Sequence, residues 1–280
     1  MGAGGGLQVT AVPMLPSELI RRVVVPARDG LARGLVRLGL RPNHATVLGM
    51  LLTVGAGVAV ALGRDHWRTW ALGLILAAGA CDMLDGAMAK VGGFRTPFGA
   101  VLDSTCDRAS DAALYLGPLF YYLVRPDDPP GAAANLMMAA LAGLGLVWAE
   151  VIAYVRARAA VEGGEGEGGF WQRGERVVTL MLGLGFHHLS TAVWILALAP
   201  AATVAHRLWR AARTLPGPGG RPPRPPADGE PRGLAGVVLF RWRRLTVPFD
   251  IQAGATIALL VFVPFPEPDL LRDLAAWLGG

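Results

Sequence analysis

Six long apolar segments occupy most of the chain between residues 44 and 213, and they restrict the folds that it can adopt. A helix that crosses a bilayer needs about 20 predominantly apolar residues. The segments lie at 44–63, 67–91, 97–124, 131–157, 175–188 and 190–213. The fifth is short, and a single kinked helix over 175–199 is the alternative to a tight turn at His187 and His188. The pattern predicts an all-α integral membrane protein with six transmembrane helices.

The composition supports this interpretation. Apolar residues make up 53% of the chain and charged residues only 17%, whereas soluble domains contain about 25% charged residues. The net charge of +5 is a modest excess. It fits the basic loops of a membrane protein better than a surface that binds nucleic acid. We therefore expect membrane lipid, and no nucleic acid, as a partner.

Basic residues are concentrated in the connections on one side of the predicted bundle. They precede the first segment, join the second to the third and the fourth to the fifth, and follow the sixth: Arg33, Arg37, Arg41, Lys90, Arg95, Arg156, Arg158, Arg173, Arg176, Arg207, Arg210 and Arg213. Lys and Arg are enriched in cytoplasmic loops. The bias predicts a multi-pass protein of the cell (inner or plasma) membrane with both termini in the cytoplasm.

Four regions are predicted along the chain. Residues 1–16 are polar and Gly-rich, and we expect them to be irregular or disordered. The membrane domain, 17–215, begins with an amphipathic helix within 17–40 that lies on the membrane surface, because arginines alternate there with apolar residues. A Pro/Gly-rich linker follows at 216–233. Residues 234–280 form a C-terminal extension, interpreted as an interfacial or re-entrant tail, with a seventh crossing as the alternative.

Four aspartates lie inside the second and third apolar segments, where charge is costly and usually functional. Asp82 and Asp85, and Asp103 and Asp107, are spaced so that each pair shares one helical face. The two helices join at a short turn and run antiparallel, so residues at equal depth have a constant sum of numbers. Asp82 is thus level with Asp107, and Asp85 with Asp103. At about 1.5 Å rise per residue, the four carboxylates lie roughly 10 Å below the cytoplasmic surface.

Four carboxylates this close need protons or cations to balance their charge. An all-oxygen ligand set favours Mg²⁺, or Mn²⁺, over zinc. Two such ions would balance the four charges and would suit an in-line phosphoryl displacement. The sequence therefore predicts a two-metal site.

A membrane pathway for cations or protons is an alternative from another functional class. It requires polar residues that continue to the far side, but the third segment offers Asp111 and Tyr115 and then Leu116, Leu119 and Phe120. We interpret Asp111, four residues after Asp107, as an ion-pair partner of Arg108, with a role in tuning the metal site as the alternative. An inactive scaffold that kept the fold is a further alternative.

The stretches 82–90 and 99–107 resemble the signature of the CDP-alcohol phosphotransferase family, D-x2-D-G-x2-A-R-x8-G-x3-D-x3-D. Only Lys90 departs from it, where the pattern has Arg. The resemblance covers about residues 33–214 and implies a homodimer with a polar cavity that faces the cytoplasm. It also implies metal-dependent transfer of a phosphatidyl group from a CDP-linked lipid, such as CDP-diacylglycerol, to an alcohol. CMP is released, and the reaction belongs to phospholipid synthesis.

The resemblance also assigns roles to individual residues. Asp82, Asp85, Asp103 and Asp107 would hold the metals, and Asp107 would be the catalytic base on the acceptor hydroxyl. The segment after Pro42 resembles a P-N-x-x-T element that touches cytidine. The implied nucleotide-binding residues are Asn43, His44, Ala45, Thr46, Gly86, Lys90 and Thr96.

The acceptor is indicated by the stretches 153–158, 172–176, 103–108 and 207–213, which resemble the phosphatidylinositol-phosphate synthase branch. Basic side chains at these places bind the phosphate of inositol phosphate in that branch. The foremost of the implied acceptor-phosphate ligands are Arg158 and Arg176. The others are Arg156, Arg173 and Arg213. The alternatives are that these arginines only mark the cytoplasmic boundary, and that glycerol phosphate or free inositol is the acceptor.

Overall fold

The computed structural model describes residues 25–125, 131–164, 166, 168–169 and 171–215. All regular secondary structure among these residues is helical. The helices are α1 (Val25–Arg37), α2 (Pro42–Leu62), α3 (Trp67–Val91), α4 (Pro97–Leu123), α5 (Ala132–Val161), α6 (Arg173–Gly185) and α7 (Leu189–Thr214). The all-α prediction is confirmed for the described residues, and α2 to α7 match the six predicted segments to within a few residues. The regions 1–16, 216–233 and 234–280 lie outside the described residues.

Four of the described helices, α2, α3, α5 and α7, are long and apolar enough to cross a membrane. Helix α4 has 27 residues, but charged residues interrupt its apolar sequence. Helix α6 has 13 residues, fewer than the roughly 20 that a straight crossing needs. The described residues therefore contain four candidate membrane spans, whereas the crossings by α4 and α6 stay a prediction.

The alternative of one kinked helix over 175–199 is wrong. Helix α6 ends at Gly185, and His187 adopts a left-handed backbone conformation with φ of 62°. The backbone N–H of His188 donates to the carbonyl oxygen of Gly183 over 2.8 Å. A tight turn therefore separates α6 from α7, as the sequence indicated.

Helix α1 occupies part of the predicted surface helix, of which residues 17–24 lie outside the described residues. It buries Ala32 against Ala87 and Met88 of α3, while Arg33 and Arg37 are exposed. The helix is amphipathic, with one face packed on the end of α3 that carries the aspartates. Its position on a membrane surface stays a prediction.

Helices α2 and α4 are in direct backbone contact where Gly57 meets Gly117. A Cβ atom on Gly57 would collide with the carbonyl oxygen of Ala113, and one on Gly117 would lie 2.7 Å from the carbonyl oxygen of Gly57. Small residues allow membrane helices to approach this closely. The crossing holds α2 beside α4, and therefore holds the first turns of α2 near the aspartates of α4.

Candidate active site

The aspartates of α3 and α4 lie on two adjacent antiparallel helices. The connection between them turns at Gly93, whose φ is 66°. The Thr96 hydroxyl then caps α4 by accepting the backbone N–H of Gly99 over 2.9 Å. This hairpin brings together Asp82, Asp85 and Asp103, with carboxylate oxygens that all lie within 4.8 Å of one another. Three of the four predicted metal ligands thus form one cluster.

The fourth aspartate, Asp107, is joined to this cluster through an arginine. Arg173, at the start of α6, places Nη1 2.5 Å from Oδ1 of Asp107 and 3.1 Å from Oδ1 of Asp82. The sequence predicted that Asp82 and Asp107 lie at equal depth, and a single guanidinium group reaches both. The acidic cluster therefore has a cationic side chain on the side that faces α6.

A cavity of about 380 Å³ opens beside the carboxylates. It is lined by α2, α3, α4 and α6, and all four aspartates and Arg173 contribute to its wall. The Asp82 side chain is 56% exposed, so solvent reaches the acidic end. The sequence interpretation missed Thr53, Cys106 and Ser110, which also line the cavity. Cys106 and Ser110 are three and seven residues after Asp103, so helical spacing could have placed them on the same face.

Of the predicted nucleotide-binding residues, Thr46 contacts the acidic cluster, and Asn43 and Thr96 lie together at Gly99, about one turn before Asp103. The Thr46 hydroxyl donates to Oδ2 of Asp85 over 2.7 Å. A Cβ atom on Gly99 would lie 3.0 Å from the Thr96 hydroxyl and 3.5 Å from Oδ1 of Asn43. The first turns of α2 and α4 therefore meet beside the carboxylates and present polar groups there.

The other four have different surroundings. His44 accepts the backbone N–H of Arg41 at Nδ1 over 3.4 Å, and Ala45 packs on the α1–α3 contact. Lys90 is exposed on the last turn of α3. Among the described residues, a Cβ atom on Gly86 would meet nothing within 4 Å. Lys90 and Gly86 thus leave room for a ligand, whereas His44 and Ala45 make contacts within the protein.

Two of the five predicted acceptor-binding arginines lie at the site. Arg173 lines the cavity, and Arg176 is buried behind it at 4% exposure. The Nη2 of Arg176 lies 2.7 Å from Oδ2 of Asp111. The predicted pair between Arg108 and Asp111 is also present, at 3.6 Å, but Arg176 is the nearer partner. The position of Asp111, one turn after Asp107 on the same face, is the signal that could have linked it to this site.

The other three arginines lie elsewhere. Arg158 forms an ion pair with Glu162 on the surface of α5, and Arg156 is exposed. The guanidinium carbon of Arg213 stacks 4.1 Å from the ring centre of Trp209. None of the three belongs to the described residues that line the cavity. The structure therefore separates Arg173 and Arg176 from the rest of the predicted set.

The acidic cluster fits a divalent cation. All of its donors are carboxylate oxygens, the ligands that hard ions such as Mg²⁺ and Mn²⁺ prefer. Asp82, Asp85 and Asp103 can converge on one point, and Asp107 borders them through Arg173. The residues present therefore have the chemistry of a metal site.

The sequence matches the family model described as CDP-alcohol phosphatidyltransferase over residues 40–209, more than half of the chain. The chain belongs to the CDP-alcohol phosphatidyltransferase family. It is 37% identical over 218 residues to the phosphatidylinositol phosphate synthase of Mycobacterium tuberculosis, covering 71% of this chain and 90% of that protein. It is 32% identical over 198 residues to the archaetidylinositol phosphate synthase of Pyrococcus horikoshii, covering 70% and 96%.

Solved structures agree with this assignment. The M. tuberculosis phosphatidylinositol phosphate synthase with bound CDP-DAG has a TM-score of 0.60 and 35% identity, over 68% of this chain and 95% of that one. The same enzyme in complex with manganese and citrate has a TM-score of 0.59, over 68% and 90%. The family predicted from the aspartate motif is thus confirmed, and this CDP-alcohol phosphatidyltransferase is a membrane enzyme of phospholipid synthesis.

Proposed function

We propose that the protein transfers the phosphatidyl group of CDP-diacylglycerol to inositol phosphate and releases CMP. The observation that carries this proposal is the position of Arg173 in the cavity wall, in contact with Asp82 and Asp107. Guanidinium groups bind phosphate through charge-assisted hydrogen bonds. An arginine beside a metal-binding cluster suits an acceptor that carries a phosphate as well as a hydroxyl group. The names of the relatives support the same choice.

The chemistry divides among the residues of the cluster. Asp82, Asp85, Asp103 and Asp107 would hold two Mg²⁺ ions, or Mn²⁺. When bound, such ions stabilise the entering and departing oxygens of a phosphoryl displacement. Asp107 takes the proton from the acceptor hydroxyl, because it lies in the cavity next to Arg173, which holds the acceptor phosphate. The hydroxyl oxygen then attacks the β-phosphorus of the CDP-lipid, and the bond from this phosphorus to CMP breaks.

The nucleotide binds on the opposite side of the cluster, at the first turns of α2 and α4. Asn43, Thr46 and Thr96 offer polar groups there, and Gly86 leaves the surface of α3 open. Lys90 supplies a positive charge one turn beyond Gly86. An ammonium group gives charge without the bidentate geometry of Arg.

Replacing Gly86 with Ala is expected to weaken CDP-lipid binding without destabilising the protein. A Cβ atom there meets no atom of the described residues within 4 Å, so it would extend into the space that the nucleotide needs. We expect the KM for CDP-diacylglycerol to rise about tenfold, which corresponds to about 1.4 kcal/mol. Steady-state kinetics and the thermal midpoint in detergent measure the two effects. Gly73→Ala is the matched control, since a Cβ atom there also has open space but lies outside the site; an equal rise in KM in both variants would contradict the assignment.

Six crossings, with the cavity open to the cytoplasm, complete the proposal. Asp103 and Asp107 of α4 face the cavity, and Asp111 is buried against Arg108 and Arg176, so the charges of α4 are directed at partners within the protein. The exposed Arg33, Arg37 and Lys90 share the end of the bundle that carries the acids, and basic residues favour the cytoplasmic side. We place the enzyme in the cell membrane as a homodimer, as the family resemblance implies.

The acceptor is tested with purified protein, CDP-diacylglycerol and Mg²⁺, by following CMP release. Inositol phosphate, glycerol phosphate and free inositol are compared at matched concentrations, and chelation of the metal is expected to stop the reaction. We expect inositol phosphate to react fastest. Preference for glycerol phosphate or inositol would refute the proposed acceptor, and no turnover with any alcohol would favour an inactive scaffold.

A further inference from the structure

Asp111 is a buried carboxylate that the proposed reaction does not use. It lies one helical turn beyond Asp107 on α4 and is 2% exposed. Its Oδ2 lies 2.7 Å from Nη2 of Arg176 and 3.6 Å from Nη2 of Arg108. Its Oδ1 lies 3.6 Å from Nε of Arg173. A single carboxylate thus faces three guanidinium groups, which come from α4 and α6.

These contacts determine where Arg173 points. Its Nε faces Asp111, while its Nη1 reaches Asp107 and Asp82. A free arginine side chain samples many rotamers, at an entropy of about 2 kcal/mol. The close Nη1 contacts anchor the guanidinium group at the cavity wall, and the charge of Asp111, 3.6 Å from Nε, favours the orientation in which Nε faces it.

Asp111 also attaches the beginning of α6 to α4. Arg176 bonds Asp111 with Nη2 and donates from Nη1 to the carbonyl oxygen of Trp171 over 3.1 Å. The guanidinium group of Arg176 therefore links the two ends of the segment 171–176 to each other and to Asp111. Asp111 is absent from the described residues that line the large cavity, so its influence on a ligand there passes through Arg173 and Arg176.

We propose that Asp111 is a positioning residue for the acceptor: it holds the buried Arg176 and with it the start of α6, and so keeps Arg173 in the cavity wall, where Arg173 binds the acceptor's phosphate group beside Asp107. This inference rests on the proposed function. Asp111 belongs neither to the cluster of predicted metal ligands nor to the described residues that line the cavity. Its removal should therefore change acceptor binding more than it changes chemistry, metal affinity or the binding of the CDP-lipid.

The variant Asp111→Asn keeps the size of the side chain and removes its charge. We expect the KM for inositol phosphate to rise about tenfold, since the hydrogen bond from Arg176 loses its charge assistance and the attraction of Asp111 for Arg173 is removed. The kcat, the KM for CDP-diacylglycerol and the Mn²⁺ affinity should stay close to wild type. Asp29→Asn is the matched control, because it removes the carboxylate of a single Arg–Asp pair on α1, 2.7 Å from Arg28, and should change none of these values.

The split between the KM for the acceptor and the other kinetic values separates positioning from a merely structural role, and a second readout tests whether Asp111 holds the segment 171–176. Hydrogen–deuterium exchange of the amides in 171–176, measured without substrates, should be faster in Asp111→Asn than in wild type. Wild-type exchange in this segment would overturn the inference, whatever the acceptor is. If wild-type protein does not use inositol phosphate, the proposed function fails, and the exchange result still decides whether Asp111 holds the segment.

Asp111→Glu serves if the Asn variant does not fold. It keeps the charge but moves the carboxylate by one methylene, so we expect a smaller rise in the KM for inositol phosphate and no change for CDP-diacylglycerol. An unchanged acceptor KM in the folded Asn variant, or in the folded Glu variant if Asn does not fold, overturns the proposal. So does an equal rise for both substrates.

Discussion

Replacing Asp107 with Asn is expected to lower the turnover number about 10³-fold while nucleotide binding stays close to wild type. The amide has the shape of the carboxylate but cannot take a proton from the acceptor hydroxyl, and a positioned general base contributes about 10²- to 10⁴-fold. Asn43, Thr46 and Thr96 lie at the first turns of α2 and α4, and Thr46 contacts Asp85 rather than Asp107. The nucleotide side of the site should therefore survive the change.

The test pairs CMP release with direct binding of the CDP-lipid, measured by calorimetry in detergent. Asp111→Asn is an informative comparison, because it neutralises a carboxylate one turn away on the same helix but should act on the acceptor KM. Asp107→Asn should act on kcat. An Asp107→Asn enzyme that keeps most of its turnover would show that another group accepts the proton.

The aspartate hairpin could be predicted from the sequence because it depends only on local geometry. The spacing within 82–85 and 103–107 fixes one face on each helix, and a short antiparallel turn fixes the relative depth of the two pairs. Asp82 and Asp107 were expected to lie at the same depth in the bundle. In agreement, one guanidinium group, that of Arg173, contacts both carboxylates. The spacing of the aspartate motif was also sufficient to predict the protein family.

The selection of arginines could not be predicted in the same way. Helix α5 continues to Val161, beyond the end of its apolar run at 157, so Arg158 sits on a helical surface and pairs with Glu162 at i+4. On α6, Arg173 lines the cavity whereas Arg176 is buried on Asp111. This choice depends on packing against α4 through Asp111, which residue spacing along one segment does not contain.

Replacing Gly57 with Val is expected to prevent stable packing of α2 against α4. A Cβ atom at this position would collide with the carbonyl oxygen of Ala113 and lie 2.9 Å from its carbonyl carbon. Backbone atoms cannot rotate away, so the two helices would have to separate. Overpacking of a closed interface costs about 1–3 kcal/mol and occasionally more, and we expect the upper end here, about 3 kcal/mol.

The change should also reduce activity, because the crossing at Gly57 and Gly117 holds the Thr46 hydroxyl beside Asp85. We expect a thermal midpoint in detergent well below that of wild type, followed by tryptophan fluorescence, together with a lower yield of monodisperse protein on size exclusion. Gly73→Val on α3 is the matched control, since in the part of the chain that the structure describes no atom lies within 4 Å of a Cβ atom there. Similar midpoints for Gly57→Val and wild type would mean that α2 and α4 do not meet through their backbones, and the placement of Thr46 beside the acids would lose its structural basis.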